Sequence, residues 1–316
     1  MGNKDITDFN EAQLRKRAAS KEELNICLTN NYAFQKIFKN EEIVKGFLIA
    51  LLHLKETDIE ELEVTDPFVE GEVKEEKEGI LDVKLILNGG KKINIEMQNT
   101  YQEDWAERSL FYNCRMFTEG LKKGESYYEL PPCIHVGILD FNYLKSPGFY
   151  HRILLKDDTT GELYSSKFQF HVIELSKIKS TKGKARKQEL YRWAKLISAS
   201  TWEEVREESE GNHYMEKVRD EMIKMSRDES ERYLYLREQM AIRDKASQLR
   251  SAENRGRREG ELLKLILQIQ KKIQKNKELH QIADEVEEEV IKIQPIYEAI
   301  KEHPEADKEE IYKMLK

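Results

Sequence analysis

Cysteine is nearly absent from this chain. Cys27, Cys114 and Cys133 are its only three in 316 residues. They are odd in number, scattered and form no CxxC pair, which excludes a disulfide framework and a zinc knuckle and leaves them as expected small buried hydrophobes. Long apolar runs are also missing. Nothing approaches the ~20 residues a membrane helix needs, and the opening Met1-Gly2-Asn3-Lys4-Asp5 has no apolar leader core, so no membrane association and a cytoplasmic location are the expectations. No phosphate-binding glycine loop and no GxSxG elbow occurs, which leaves P-loop hydrolysis and serine esterase chemistry unsupported. The seven histidines show no ligand-like spacing and read as ordinary core or surface residues.

What is present in abundance is charge. Asp, Glu, Lys and Arg make up 36% of the chain against 39% hydrophobic residues, and the net charge is -7. With a mean hydropathy of -0.74, this describes a folded core carrying long solvated helices. The charge is unevenly spread. Acid dominates residues 56 to 78, whereas Lys177, Lys179, Lys182, Lys184, Arg186, Lys187, Arg192 and Lys195 lie close together. A basic segment of this kind, with Tyr191 and Trp193 interleaved, suits DNA phosphates or else forms a plain solvated helix face.

Hydrophobic periodicity organises the rest. Residues 26 to 52 carry apolar side chains at helical spacing, predicting one or two helices. Residues 79–87 and 91–98 alternate as strands about the turn Asn88-Gly89-Gly90. A helix with Trp105, Leu110, Phe111, Cys114, Phe117 and Leu121 on one side is predicted next, ended by Gly120 and Gly124. The apolar run from Cys133 to Phe141 reads as a buried central strand. Residues 150–155 and 168–175 then alternate around the turn at 157–161, and no strand is expected beyond Gly183. The remainder is helical and charged. Its stripe of Leu262, Leu265, Ile266, Ile269, Ile273 and Ile282 needs a partner, found either in a second copy or within its own domain.

The hairpin also poses a chemical question. Phosphodiester hydrolysis by a divalent metal needs two carboxylates converging on one ion. A two-residue Gly89-Gly90 loop would pair Val83 with Glu96 and put Asp82 and Glu96 on opposite faces. A three-residue Asn88-Gly89-Gly90 loop pairs Leu87 with Lys91, Lys84 with Asn94 and Asp82 with Glu96. The second register also gathers Leu81, Val83, Leu85, Leu87, Ile93, Ile95 and Met97 on the core face, and it sets Gln98 beside the acids. The wet face of an ordinary hairpin has the same spacing, so the pattern alone does not decide the chemistry.

The succession Thr29-Asn30-Asn31-Tyr32-Ala33-Phe34-Gln35-Lys36-Ile37-Phe38, Gly79-Ile80-Leu81-Asp82-Val83 and Asn94-Ile95-Glu96-Met97-Gln98, followed by Arg108 and Tyr112, resembles the PD-(D/E)XK nuclease family transposases, also called recombination-promoting nucleases. The resemblance covers about residues 25 to 175. It implies an α/β fold: a restriction-endonuclease-like core with a mixed central sheet flanked by helices, followed by a charged all-helical C-terminal region. The expected division is an N-terminal polar segment at 1–24, a nuclease-like domain at 25–200 and a helical region at 201–316. The implied activity is Mg2+-dependent, or Mn2+-dependent, DNA endonuclease chemistry linked to recombination or transposition. Asp82 and Glu96 would hold the metal, and Gln98 would complete the catalytic set where the wider superfamily has lysine, orienting water without being able to act as a base. Arg108, Lys182, Lys184, Arg186 and Lys187 would contact DNA, and the C-terminal helices could join two copies into a homodimer. One departure stands out: Asn31 occupies the place of a family acid, where it would keep a helix cap but weaken a metal site. That favours the alternative of a catalytically weakened or inactive member that binds DNA or a protein.

Overall fold

The computed structural model describes residues 24–65, 68–69, 79–80, 82–118, 124 and 126–315, with backbone alone at 68–69 and 79–80. The expected N-terminal segment up to residue 23, most of the acidic stretch beyond Thr65, Leu81, Gly120 and Leu121 lie outside the described residues. The chain divides into two compact units, one closing at Gln239 and the other opening at Met240.

The first unit opens with helices α1 (Asn31–Phe38) and α2 (Glu41–Leu52). Each starts on an asparagine whose side-chain oxygen accepts backbone N–H groups of the first turn: Asn30 from Ala33, Asn40 from Glu42 and Ile43. The cap of α1 is therefore Asn30, not Asn31, which is its first helical residue.

Six strands form one mixed sheet: β1 (Leu62–Thr65), β4 (Val83–Leu87), β5 (Lys91–Gln98), β6 (Cys133–Leu139), β7 (Tyr150–Lys156) and β8 (Leu163–Glu174). They lie side by side in the order β1-β4-β5-β6-β8-β7. The pairs β5–β6 and β6–β8 are parallel and the others antiparallel. A separate two-stranded ladder joins β2 (Phe68–Val69) to β3 (Gly79–Ile80), so the strand expected over 79–87 is divided. β1 was not expected, because Leu62-Glu63-Val64-Thr65 sits in the acidic stretch and shows only a brief alternation.

The hairpin register is the three-residue one. Leu87 pairs with Lys91 and Lys84 with Asn94. The loop takes positive φ at Asn88, Gly89 and Gly90 (21°, 61° and 82°), which the glycines make affordable. Val83, Leu85, Leu87, Ile93, Ile95 and Met97 are all buried on the face that packs against α1 and α2. The same core takes in α4 (Glu189–Ile197), α5 (Trp202–Ser209) and α6 (His213–Arg227) through Trp193, Trp202, Met215 and Met222. Phe38, Phe47 and Trp193 meet edge to face, with Phe47 and Trp193 centroids 5.6 Å apart. This packing carries the first unit past the boundary near residue 200 expected from sequence.

The other sheet face is covered by α3 (Trp105–Thr118). Its buried side differs from the expected one: Trp105, Ser109, Tyr112, Asn113 and Met116 face inward, while Leu110, Phe111 and Cys114 are exposed. Polar residues reach the inside because they are satisfied there, Asn113 donating to the Gln169 carbonyl and Ser109 to that of Ala106. Of the cysteines only Cys133 is fully buried; Cys27 is half-buried.

Helix α7 (Glu229–Ile273) runs through the boundary between the units. In the second unit its stripe of Leu265, Ile266 and Ile269 packs with α8 (Leu279–Val286), α9 (Val290–Glu302) and α10 (Lys308–Met314) around Ile282, Ile293, Ile296 and Ile311. The stripe that the dimer expectation rested on is thus occupied within its own chain. No helix among the described residues is long and apolar enough to cross a membrane.

Candidate functional site

Side chains alternate across a strand, so Asn94, Glu96 and Gln98 of β5 share the face under α3. The parallel pairing places His135 opposite Asn94 and Gly137 opposite Glu96. Continuing the β4–β5 register one step beyond Val83–Ile95 brings Asp82 opposite Glu96.

Asp82 and Glu96 are both buried. Asp82 accepts the Met97 backbone N–H at 2.7 Å on Oδ2 and the Gln35 side-chain amide, from α1, at 3.0 Å on Oδ1. Burial, reinforced by the neighbouring Glu96 charge, pushes the Asp82 carboxyl up to about 7 despite these donors. Glu96 Oε1 accepts Arg108 Nη2 at 2.7 Å, Arg108 Nε at 3.2 Å and Gln98 Nε2 at 2.9 Å. Arg108 comes from α3, its guanidinium 4.9 Å from the Tyr112 ring centre and its side chain 32% exposed. Gln98 in turn accepts from Gln102 at 3.2 Å.

Among the described residues the second Glu96 oxygen, Oε2, has no hydrogen-bond partner, although His135 Nε2 stands 3.6 Å away. The Asn94 amide lies 3.2 Å from His135 Nδ1. Donation by that amide puts the ring proton on Nε2, facing Glu96. Burial holds the fully enclosed imidazole below its usual range, so it is neutral at pH 7. Trp105 closes this side of the site. Its ring lies so near the Gly137 backbone that a Cβ there would meet Trp105 Cζ2 at 2.3 Å.

The structure thus brings Asp82, Glu96, Gln98 and Arg108 together and adds Gln35, Asn94, Gln102, Trp105 and His135. Among the described residues no group of three or more His, Cys, Asp and Glu side chains is arranged to hold a metal. Two carboxylates suit a hard cation that keeps its waters and takes further oxygens from substrate, and the unpartnered Glu96 Oε2 is a free oxygen donor of that kind. Soft thiolate ligands are absent, so the donor set fits Mg2+ or Mn2+ and not a structural zinc.

The basic segment is only partly available to a ligand. Lys177 is buried against Glu174, at 2.6 Å, and two carbonyls. Lys195 pairs with Glu208, Arg192 donates to the carbonyls of Glu208 and Glu210, and Tyr191 and Trp193 lie in the core. Lys182, Lys184, Arg186 and Lys187 remain exposed on and beside the short turn Gly183–Lys187. Arg186 also donates to the Thr181 carbonyl. None of the four bonds to Asp82, Glu96, Gln98 or Arg108. At the start of α1, Asn31 Oδ1 is buried without a partner among the described residues, and the Tyr32 N–H donates to Glu238.

A mixed sheet sandwiched by helices, with two acids and an amide on the central hairpin, is the arrangement of a restriction-endonuclease-like core. The family model for PD-(D/E)XK nuclease family transposases matches residues 28–252, and the chain belongs to that family. Comparisons with curated proteins and with solved structures returned no match. The family assigns a nuclease-like function, with DNA as the substrate class.

Proposed function

We propose that the chain is a metal-dependent DNA endonuclease acting in recombination or transposition. The observation that carries this reading is the convergence of buried Asp82 and Glu96 across one register step, with Glu96 Oε2 left unpartnered. Asp82 and Glu96 would hold Mg2+ or Mn2+. Such an ion, when bound, activates water and neutralises charge developing on the phosphate. The Met97 N–H and Gln35 fix the Asp82 carboxylate, while Gln98 fixes Glu96 and is itself steadied by Gln102. Gln98 can orient a water but cannot take its proton. Arg108, partly exposed, is placed to exchange Glu96 for a phosphate oxygen. The exposed basic turn at 182–187 would follow the backbone without reading sequence. Cleavage by in-line attack of water leaves a 3′ hydroxyl.

The second reading is a weakened member that binds DNA or protein, favoured by Asn31 in place of the family acid. Supercoiled plasmid incubated with Mg2+ or Mn2+ separates the two. The wild-type chain should nick it, and Asp82→Ala and Glu96→Ala should each lose activity by at least ~100-fold. An inert wild type that still shifts DNA on a gel supports the second reading, and variants that cut as well as wild type refute the assignment of these acids.

A further inference from the structure

The sheet face opposite Glu96 holds a second feature. A cavity of about 260 Å3 lies where the end of α2 meets the sheet. Its apolar lining includes Leu51, Leu54 and Ile134, and its polar lining includes Lys91, Tyr150, Arg152, Gln169 and His171. The strand register explains the grouping: Arg152 is opposite His171, and Gln169 is opposite Ile134.

Among the described residues no carboxylate lines this cavity, in a chain that is acidic overall. Lys91 has no partner among the described residues, and Arg152 bonds only to the neutral Gln169, through Nε and Nη2 at 3.3 and 3.1 Å, leaving Nη1 uncommitted. Gln169 is held in turn by donating to the Ser166 carbonyl. His171, 1% exposed, shares a 2.8 Å hydrogen bond with the Tyr150 hydroxyl through Nδ1, while its buried Nε2 has no partner among the described residues. Burial, with the charges of Arg152 and His53, holds this imidazole down to about 4, so it is neutral near pH 7. When the tyrosine donates to Nδ1, Nε2–H becomes an unanswered donor. A buried polar hydrogen of this kind is normally answered, and the half-buried Lys91 and exposed Arg152 bring positive charge to the same cavity. What fits these donors is a hydrogen-bond acceptor that carries negative charge, and the two charges of Lys91 and Arg152 match a phosphate dianion better than a single carboxylate.

We propose that this cavity binds a phosphate monoester carried on a small apolar body, with Lys91 and Arg152 neutralising the phosphate, His171 donating to it and the leucine and isoleucine side taking the body. The site is separate from the acid pair, on the other face of the sheet. The same phosphate chemistry is offered by a nucleotide or by free phosphate.

Calorimetric titration of the full chain in EDTA with thymidine 5′-monophosphate tests it, beside thymidine and inorganic phosphate. The nucleotide should bind and thymidine should not. Lys91→Gln and Arg152→Gln, at half-buried and exposed positions, should each weaken binding by at least ~10-fold, the value of a hydrogen bond to a charged group. Arg108→Gln should leave it unchanged, and the His171 ring resonances should move on titration. Inorganic phosphate binding as tightly as the nucleotide would overturn the role of the apolar side and leave a site for free phosphate. No binding at millimolar nucleotide, equal binding of thymidine, or binding lost in Arg108→Gln but kept in Arg152→Gln would overturn the proposal.

Discussion

Replacing Asp82 by asparagine should stabilise the metal-free protein by an amount that grows as pH rises from about 5 to about 7 and is complete above that. The folded state pushes this carboxyl from its ordinary 3.8 to about 7, through burial first and the Glu96 charge second. Between those values the folded chain keeps a proton that the unfolded chain has released, so stability falls as pH rises from about 4 to about 7. Three pKa units at 1.36 kcal/mol each give a penalty of roughly 4 kcal/mol above pH 7, and the carboxyl is too buried for solvent to screen much of it. Asparagine has no such penalty. Its oxygen can still accept the Met97 N–H, and Gln35 can turn its amide to accept from the new NH2, with ~1 kcal/mol lost in the exchange. Urea unfolding in EDTA from pH 4 to 8, followed by fluorescence of the buried Trp193 and Trp202, measures the difference. The two proteins should be nearly equal at pH 4, and the variant should lead by about 3 kcal/mol at pH 8. His135 and His171 titrate in the opposite sense but do so in both proteins, so they cancel. Parallel stability curves across this range, or a variant weaker than wild type at pH 8, would refute the reasoning.

Three other outcomes follow from the same geometry. Binding of Mg2+ should release about one proton per ion at pH 6 and almost none at pH 8.5, because Asp82 must ionise to become a ligand; calorimetry in two buffers of different ionisation enthalpy reads this directly. Gly137→Ala should cost about 1–3 kcal/mol in urea unfolding, since its Cβ would sit 2.3 Å from Trp105 Cζ2. Lys177→Met should cost about 3–5 kcal/mol by leaving buried Glu174 without its lysine, held only by the Tyr143 and Leu144 N–H groups and nearby His151, and adding Glu174→Gln should restore part of that loss.

The hairpin was legible in sequence because two independent demands agreed: the apolar alternation and the need of Asn88-Gly89-Gly90 for positive φ select one register. The central strand at 133–139 was legible because a strand buried on both faces is apolar at nearly every position, His135 being the exception. The inner side of α3 was not. Ser109 and Asn113 look like surface residues until the sheet supplies Asn113 with the Gln169 carbonyl, 56 positions away. His135 escaped for a related reason. Its partners Asn94 and Glu96 are reached only through the parallel β5–β6 pairing, which depends on the crossover through α3 and leaves no local signature in the chain. Gln35 lay inside the family-like opening segment, but nothing in helical spacing links it to Asp82.

The cation that the wider superfamily places two residues after its acid is missing at Gln98, yet positive charge has not left the site. Arg108 supplies it from α3, steadied by Tyr112, and the neutral Gln98 holds Glu96 from the side. As described, the buried centre is balanced without a metal: Asp82 favours its proton at pH below about 7, and the Glu96 charge is answered by Arg108. In the proposed complex a divalent ion beside both ionised acids would be balanced as well, with Arg108 turned to the single charge of the phosphodiester. Both arrangements sum to zero in a site where an unanswered charge is expensive. A lysine at 98, fixed beside Glu96, would have no comparable freedom to follow the phosphate. The overall charge of -7 therefore bears on how the chain approaches DNA over distance, where salt screens it, and much less on the chemistry between Asp82 and Glu96.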